Sequence, residues 1–421
     1  MGNRLQVRWG FAASLLLLLA AGVIVRLILV AITPGEFYDT TAIAHVGKAF
    51  LTAPLHVYDL DVNPGSYQGS PTYPWPYLPG FLPVAGLLRW LSDHLGASVN
   101  RLDRTVIVGA DVAVAWVVQW ALGRLGRSER ERLQGVALVA FGPAFIAVSG
   151  VHGQIDALAW FPAVAAVALW ELRRDGQRAL ACGALIGLGI AIKTTPGLVL
   201  LALAPTARDR RELAHLVASA AVVPALMVVP FALAAPKGLQ AIIHYRGFAG
   251  RAGLTVLLQP RLAVHELTGP AVTYDATTTF LLDHTGLILA IALVPVVISI
   301  WRWRVPAASA TVALLLAVYV AGPAILPQYW LWIVPFMILA GYRGAALAYQ
   351  LALLPLLVAT YAFLQEPDQP FRHLSTGLVL YGYVPLLWIV TAGLLGGLVA
   401  LLVAQRRLAQ RRLREQPARR C

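Results

Sequence analysis

The chain has few cysteines and few charged residues for its length. Two cysteines occur among 421 residues, one inside an apolar run and one at the end of the sequence, so neither a disulfide framework nor a cysteine metal site is available. Charged residues make up 13% of the chain and hydrophobic residues 59%, which exceeds the apolar content of a soluble domain. The composition therefore predicts an integral membrane protein whose partner is the lipid bilayer.

Twelve apolar segments predict an all-α, polytopic membrane helical bundle in which some spans are short or broken. The estimate rests on roughly 20 apolar residues per crossing. The predicted spans are 11–32, 104–122, 135–151, 155–172, 179–193, 195–205, 213–234, 284–301, 307–326, 330–342, 344–364 and 378–404. Two of them, 179–193 and 195–205, are too short to cross alone, and short interrupted helices are tolerated where they line a cavity in the protein.

Basic residues fall mainly in alternate loops between these spans. Arginine and lysine outnumber the acidic residues by 33 to 20. The positive-inside rule then places both termini in the cytoplasm of a multi-pass plasma-membrane protein. The basic excess thus indicates orientation in the membrane, and it argues against binding of nucleic acid.

The sequence predicts one membrane domain, 1–404, followed by a basic cytoplasmic tail, 405–421. Two long segments, 33–103 and 235–283, fall on the outer side. The first is much longer than a turn between spans, and long loops of this kind are usually functional. Its apolar end, 75–91, contains three prolines and is interpreted as a juxtamembrane helix lying in the interface rather than as a span.

Asp39 follows the first span closely and is the predicted catalytic base. A carboxylate at the membrane surface can take a proton from an acceptor hydroxyl when the protein shields it and adjusts its pKa. The alternative is an N-cap for the amphipathic run 42–50, which follows directly. The two roles are compatible.

Polar residues between the middle spans are candidates for substrate binding. His152 and Asp156 lie on either side of a bend, and a carboxylate at membrane depth usually faces a cavity. Lys193 lies between the two short spans and is predicted to bind a phosphate at the membrane surface. Its alternative role is to snorkel to the interface.

The remaining candidates lie in the second outer segment and beyond it. His244, Arg246 and Arg251 belong to a basic cluster suited to an anionic headgroup or a leaving phosphate, although each can also be a surface charge. Gln328 and Tyr329 can contact a sugar through an amide and a phenol. An interfacial aromatic belt would account for the tyrosine but not for the glutamine.

Together these features resemble the GT-C superfamily of integral-membrane glycosyltransferases, and within it the polyprenol-phosphate-sugar-dependent, bacterial mannosyltransferase-like group. The matching elements are Asp39 after the first helix, Tyr73-Pro74-Trp75-Pro76, His152-Gly153-Gln154-Ile155-Asp156, Lys193 with Pro196, and Pro327-Gln328-Tyr329-Trp330-Leu331-Trp332. In such enzymes the first outer loop carries the catalytic acidic residue and packs juxtamembrane helices over the bilayer. On the same ground Gln154 joins the substrate-binding candidates.

The resemblance implies inverting transfer of a sugar, mannose, on the extracytoplasmic side. The donor would be a polyprenyl-phosphate sugar, and the acceptor a glycolipid or glycan. Asp39 would remove the acceptor proton, and the polar candidates would position the sugars. The sequence has no D-x-D directly beside Asp39, so no metal or other cofactor is predicted.

Two alternatives stay open at this point. A lipid or solute transporter or flippase could use Arg26, Asp111 and Lys193 as its substrate path, but that class predicts weak symmetry between the two halves of the chain, and the sequence has none that we detect. A non-catalytic partner in an envelope-synthesis complex is the other alternative. The concentration of polar residues on one side of the spans favours the enzyme.

Overall fold

The computed structural model describes residues 2–60, 75–173, 175–243, 248–268, 274–364 and 376–415. These residues are 84% helical and contain no strand, which confirms the predicted all-α class. The helices are α1 (Gly2–Ile32), α2 (Phe37–Thr52), α3 (Leu82–Leu95), α4 (Val99–Arg124), α5 (Glu129–Ala140), α6 (Asp156–Leu172), α7 (Arg178–Ile192), α8 (Leu198–Leu203), α9 (Arg210–Ala234), α10 (Pro236–Ile243), α11 (Leu254–Leu258), α12 (Arg261–Thr268), α13 (Ala276–Asp283), α14 (Thr285–Trp303), α15 (Ala307–Ala321), α16 (Val334–Leu339), α17 (Arg343–Leu364) and α18 (Val384–Glu415).

Many of these helices are apolar enough to lie in a membrane. In the described part of the chain, seven helical runs are also long enough to cross it, and four shorter apolar helices accompany them. One of the seven, Glu129–His152, joins α5 to the short helical segments that follow it. Each of the twelve predicted spans falls on a helical segment. The polytopic membrane bundle is therefore confirmed, while the number of crossings stays a prediction.

Several apolar helices stop short of a full crossing, and their ends come together. Helices α7 and α15 have 15 residues each, or about 22 Å, against about 30 Å of hydrocarbon. A proline follows closely after each of α5, α7 and α15, where its missing N–H and fixed φ favour a break. These prolines are Pro143, Pro196 and Pro323. The segments after the breaks carry His152, Lys193 and Gln328.

The first outer segment packs over the ends of the broken helices. A 3₁₀ turn, Pro79–Phe81, leads into α3, which has 14 residues and lies against α2. This agrees with the predicted juxtamembrane helix over 75–91, although its position relative to a bilayer stays a prediction. A Cβ added at Gly80 would lie 2.6 Å from the carbonyl oxygen of Ala191. The turn therefore contacts the end of α7 directly, two residues before Lys193.

Two buried arginines tie helices together inside the bundle. Arg26 donates from Nε to Oδ2 of Asp111 at 2.9 Å and from Nη2 to the carbonyl oxygen of Val139 at 2.7 Å. Arg178 donates from Nε to Oε1 of Glu212 at 2.7 Å. Buried charges in membrane proteins usually pair in this way, so Arg26 and Asp111 have a structural role in joining α1, α4 and α5.

The outer segments and the tail contain more helix than their sequences suggest. Helices α10 to α13 occupy much of the described part of 235–283, and α4 already begins inside the first outer segment. The predicted tail, 405–421, starts within α18. Residues 416–421 lie outside the described residues.

Replacing Gly47 by alanine is expected to lower the free energy of unfolding by about 1–3 kcal/mol. Gly47 lies on α2, and an added Cβ would come within 2.4 Å of the carbonyl oxygen of Ala85 on α3, so the two helices would have to separate. Gly109→Ala in α4 is the matched control, because its added Cβ meets nothing within 4 Å and alanine favours the helix. Thermal unfolding in detergent measures the stability of both variants. Equal unfolding midpoints for the two would contradict the close packing of α2 on α3.

Candidate active site

An irregular segment after α5 brings His152 to the site. A π-helical segment, Ile146–His152, ends at Gly153, whose φ of 88° is readily adopted by glycine. A Cβ at Gly153 would lie 2.8 Å from Cγ of Arg104. The carbonyl oxygen of His152 accepts a hydrogen bond from the N–H of Glu36 at 2.9 Å. This bond fixes the start of α2 beside the π-helical turn. Turns of this kind are frequent at functional sites.

Asp39 and His152 are in direct contact. Oδ2 of Asp39 lies 2.7 Å from Nε2 of His152, and the Asp39 side chain is 17% exposed, against 1% for His152. Of these two side chains, only the carboxylate of Asp39 is therefore open to a substrate. The alternative role of Asp39 as an N-cap is wrong: the N-cap of α2 is Glu36, whose Oε2 accepts from the N–H of Asp39 at 2.7 Å.

The surrounding charges move the pKa values of Glu36 and Asp39 in opposite directions. Burial raises the pKa of Asp39, but the hydrogen bond and charge of His152 together with the charge of Lys193 outweigh it, so this pKa lies below its ordinary value. Burial raises the pKa of Glu36, and the nearby Asp39 carboxylate raises it further. When the pKa values of two neighbouring carboxyl groups differ in this way, one group often acts as an acid and the other as a base. Asp39 is the member that stays ionised.

Asp156 and Lys193 form a buried ion pair near this contact. Nζ of Lys193 donates to both carboxylate oxygens of Asp156, at 3.0 and 2.9 Å, and the indole N–H of Trp332 donates to Oδ1 at 2.6 Å. The side chains of Asp156 and Lys193 are 0% and 7% exposed. Lys193 thus points into the protein instead of snorkelling to the interface, and Asp156 balances its charge.

Three aromatic rings surround the ammonium group of Lys193. It lies 5.1 Å from the ring centroid of Tyr77, 5.0 Å from that of Tyr329 and 5.7 Å from that of Trp332, distances typical of cation–π contacts. Nε2 of Gln154 donates to the hydroxyl of Tyr77 at 3.1 Å. The predicted residues Gln154, Lys193 and Tyr329 therefore form one wall of the candidate site together with Tyr77 of the first outer segment.

Gln328 comes directly before Tyr329 in the sequence and is buried, with 3% of its surface exposed. Its Oε1 has no hydrogen-bond partner among the residues that the structure describes. The backbone around it is held by two tyrosines, since the hydroxyl of Tyr319 donates to the carbonyl oxygen of Tyr329 and that of Tyr349 to Trp330. A buried amide oxygen without a partner is unfavourable, so a sugar hydroxyl that donated to it would be bound favourably.

Arg251 lies on a loop that is anchored to the C-terminal helices. The hydroxyl of Tyr383 donates to the carbonyl oxygen of Arg251 at 2.7 Å. The guanidinium group is close enough to Glu36 for its charge to oppose the raised pKa of that carboxyl. Arg251 therefore lies near the start of α2. The other two basic candidates, His244 and Arg246, lie outside the described residues.

A model of glycosyltransferase family 87 matches residues 72–327, more than half of the chain. The chain belongs to glycosyltransferase family 87. No curated protein matches it. Membership confirms the predicted enzyme class and supports a membrane glycosyltransferase of the GT-C type. The matched region includes His152, Asp156 and Lys193, whereas Asp39 lies before it.

Sequence reasoning missed three side chains of this glycosyltransferase that contact the predicted ones. Glu36 caps the helix of Asp39, and Tyr77 covers Lys193. The hydroxyl of Tyr361, on α17, lies 2.9 Å from Nδ1 of His152. The proximity of Glu36 to Asp39 in sequence is a signal for the first, but no local pattern marks Tyr361, which lies 209 residues from His152.

Among the described residues, Glu36, Asp39 and His152 also form a group that could hold a metal ion. One ligand atom of each lies within 4.8 Å of the others. Asp39 already bonds His152 through Oδ2, and Glu36 bonds the backbone of Asp39 through Oε2. The hydrogen bonds give these atoms partners without a cation, and the lack of a metal requirement stays a prediction.

Proposed function

We propose that this glycosyltransferase moves a sugar, mannose by its resemblance to the mannosyltransferase-like group, from a polyprenyl-phosphate carrier to a glycolipid or glycan. Transfer would take place on the extracytoplasmic side of the plasma membrane. The observation that carries the proposal is the contact between Asp39 and His152. It leaves one ionised and partly exposed carboxylate where the broken helices end, and such a group can accept a proton from a hydroxyl.

In the proposed reaction the acceptor oxygen attacks the anomeric carbon while Asp39 removes its proton. The bond between that carbon and the phosphate oxygen breaks, and the electron pair leaves with the polyprenyl phosphate. Attack opposite the leaving group inverts the anomeric centre. His152 keeps the carboxylate oriented through its Nε2–H. The leaving phosphate is already an anion, so basic residues stabilise it electrostatically.

Arg251 is the best supported of the proposed phosphate ligands. It lies near the start of α2 on an anchored loop, and arginine binds phosphate in a bidentate manner. Lys193 is also proposed, but it shares its charge with Asp156. The same role for His244 and Arg246 stays a prediction.

The sugars would contact the polar and aromatic side chains beside the base. Gln328 offers a buried amide oxygen, and the Tyr329 ring offers an apolar face suited to a sugar. Gln154 and Asp156 hold Tyr77 and Lys193 on the same wall. We propose that these residues, with His152, position the donor and the acceptor.

The depth of the site favours a lipid-linked donor. Helices α7 and α15 are about 22 Å long, so if they start at one surface of a hydrocarbon core of about 30 Å, their ends lie about 8 Å below the other. A phosphate anchored in the bilayer can approach such a site from the side. A soluble nucleotide sugar would have to enter from water past α2 and α3.

The test is transfer by the purified enzyme in lipid nanodiscs, with a membrane glycolipid extract as acceptor. Polyprenyl-phosphate mannose is expected to give product, and the nucleotide-linked sugar none. The product linkage should have the opposite anomeric configuration to the donor, which NMR measures. Transfer from the nucleotide sugar, or a retained configuration, would contradict the proposal. Movement of labelled lipid across liposomes without a new glycosidic bond would favour a flippase instead.

A further inference from the structure

We infer that Tyr361 is a positioning residue that fixes the tautomer of His152 and so directs its Nε2–H at Asp39; the inference rests on the proposed role of Asp39. The hydroxyl of Tyr361 lies 2.9 Å from Nδ1 of His152, and Nε2 of the same ring lies 2.7 Å from Oδ2 of Asp39. One chain of hydrogen bonds thus links α17, the π-helical segment and α2.

Only one order of donors satisfies this chain while Asp39 is ionised and His152 is neutral. A carboxylate has no hydrogen to donate, so Nε2 of His152 carries the hydrogen. A neutral imidazole has a single N–H, so Nδ1 is then an acceptor and the Tyr361 hydroxyl donates to it.

Burial makes this contact important for His152. Its side chain is 1% exposed, and Tyr361 is 5% exposed, so water has little access to Nδ1. The Tyr361 ring meets the imidazole edge-on, with centroids 5.4 Å apart and an interplanar angle of 69°. A donor at Nδ1 polarises the imidazole and strengthens the bond that Nε2–H makes to Asp39.

Tyr361 differs from other buried tyrosines of the bundle in its partner. The hydroxyls of Tyr58, Tyr349 and Tyr383 each donate to a backbone carbonyl oxygen, as is usual for a tyrosine satisfied in the core. Tyr361 instead contacts a ring nitrogen of the residue that holds the proposed base. A role in packing alone does not require that partner.

Several titratable groups act on Asp39 and have to stay constant in a test. They are Glu36, Asp103, His152, Lys193, Tyr329 and Tyr361 itself. Tyr361→Phe keeps the first five and also keeps the aromatic ring. A changed pH profile in this variant therefore reports on the lost hydroxyl.

Tyr361→Phe is expected to lower kcat roughly tenfold and to move the acid limb of the kcat/KM profile to higher pH. The sign follows from the pKa of Asp39, which His152 lowers: a weaker bond from Nε2–H lets this pKa rise, so the ionised base is lost at a higher pH. Incorporation of 3-fluorotyrosine at position 361, a stronger donor of similar volume, is expected to move the acid limb the other way. Opposite shifts would support the inference.

Tyr342→Phe is the matched control, because it removes a hydroxyl bonded to Ser309 and Gln405 at the far end of the bundle. It should leave the acid limb unmoved. A Tyr361→Phe variant that loses rate with no shift of the acid limb would show a purely structural role and overturn the inference. If that variant does not fold, the fluorotyrosine protein alone decides, since an unmoved acid limb there also overturns it.

The tautomer can be measured without any transfer reaction. Ring-¹⁵N labelling of the nine histidines, with the His152 signals assigned by their loss in His152→Gln, is expected to show hydrogen on Nε2. Hydrogen on Nδ1 alone would overturn the inference even if transfer were normal. If the Nε2–H form is found but Asp39→Asn retains full transfer, the proposed function fails while the order of hydrogen bonds stands.

Discussion

Replacing Asp39 by asparagine is expected to lower kcat for sugar transfer by roughly 10²- to 10⁴-fold, the usual contribution of a general base. An amide cannot take the proton of the acceptor hydroxyl at neutral pH. Its oxygen can still accept the hydrogen bond from Nε2 of His152, so α2 should keep its place. The KM for the donor should therefore change little, and the loss should be in kcat. Initial rates with a labelled polyprenyl-phosphate sugar measure both constants.

Asp93→Asn is the matched control for this change. Asp93 is a carboxylate of the same outer region, on α3, where it pairs with Arg89 at the surface. Its replacement should leave the rate unaltered. Undiminished transfer by folded Asp39→Asn would rule out Asp39 as the base. An equal loss in both variants would point to a general effect of charge on this side of the protein.

The helical bundle follows from hydropathy because a membrane helix satisfies its backbone hydrogen bonds internally. Each apolar run of sufficient length therefore identifies a helix, and all twelve predicted spans are helical. The sequence predicts the breaks less completely. The two short spans on either side of Lys193 predict an interruption there. Nothing predicts the π-helical turn before His152, because a shift in backbone hydrogen bonding leaves no signal in the composition.

Hydropathy and charge patterns place site residues on one side of the membrane without pairing them. The predictions for Asp39, His152 and Lys193 rested on position relative to spans, and the structure brings these residues close together. Their partners depend on packing between distant elements, as Tyr361 on α17 shows for His152. Arg26 and Asp111 are a pair that the sequence does indicate, because two opposite charges buried in spans have few favourable alternatives to pairing.

Replacing Lys193 by methionine is expected to lower the free energy of unfolding by about 3–5 kcal/mol, the cost of leaving one member of a buried pair uncompensated. Asp156 is 0% exposed and would keep the N–H of Trp332 as its donor, with no cation beside it. Methionine has a similar length, and its sulfur packs well against aromatic rings, so the loss reports on the charge. Thermal unfolding in one detergent measures the effect.

The double variant Lys193→Met, Asp156→Asn is expected to regain most of that stability, because no charge is then buried and the asparagine oxygen can still accept from Trp332. Strictly additive losses in this cycle would contradict the ion pair. The stable double variant also separates the two roles of Lys193. If its KM for the donor rises about tenfold or more and that of Asp156→Asn alone does not, Lys193 binds the phosphate as well. An unchanged KM leaves the phosphate to Arg251, His244 and Arg246, so that Lys193 serves to neutralise Asp156.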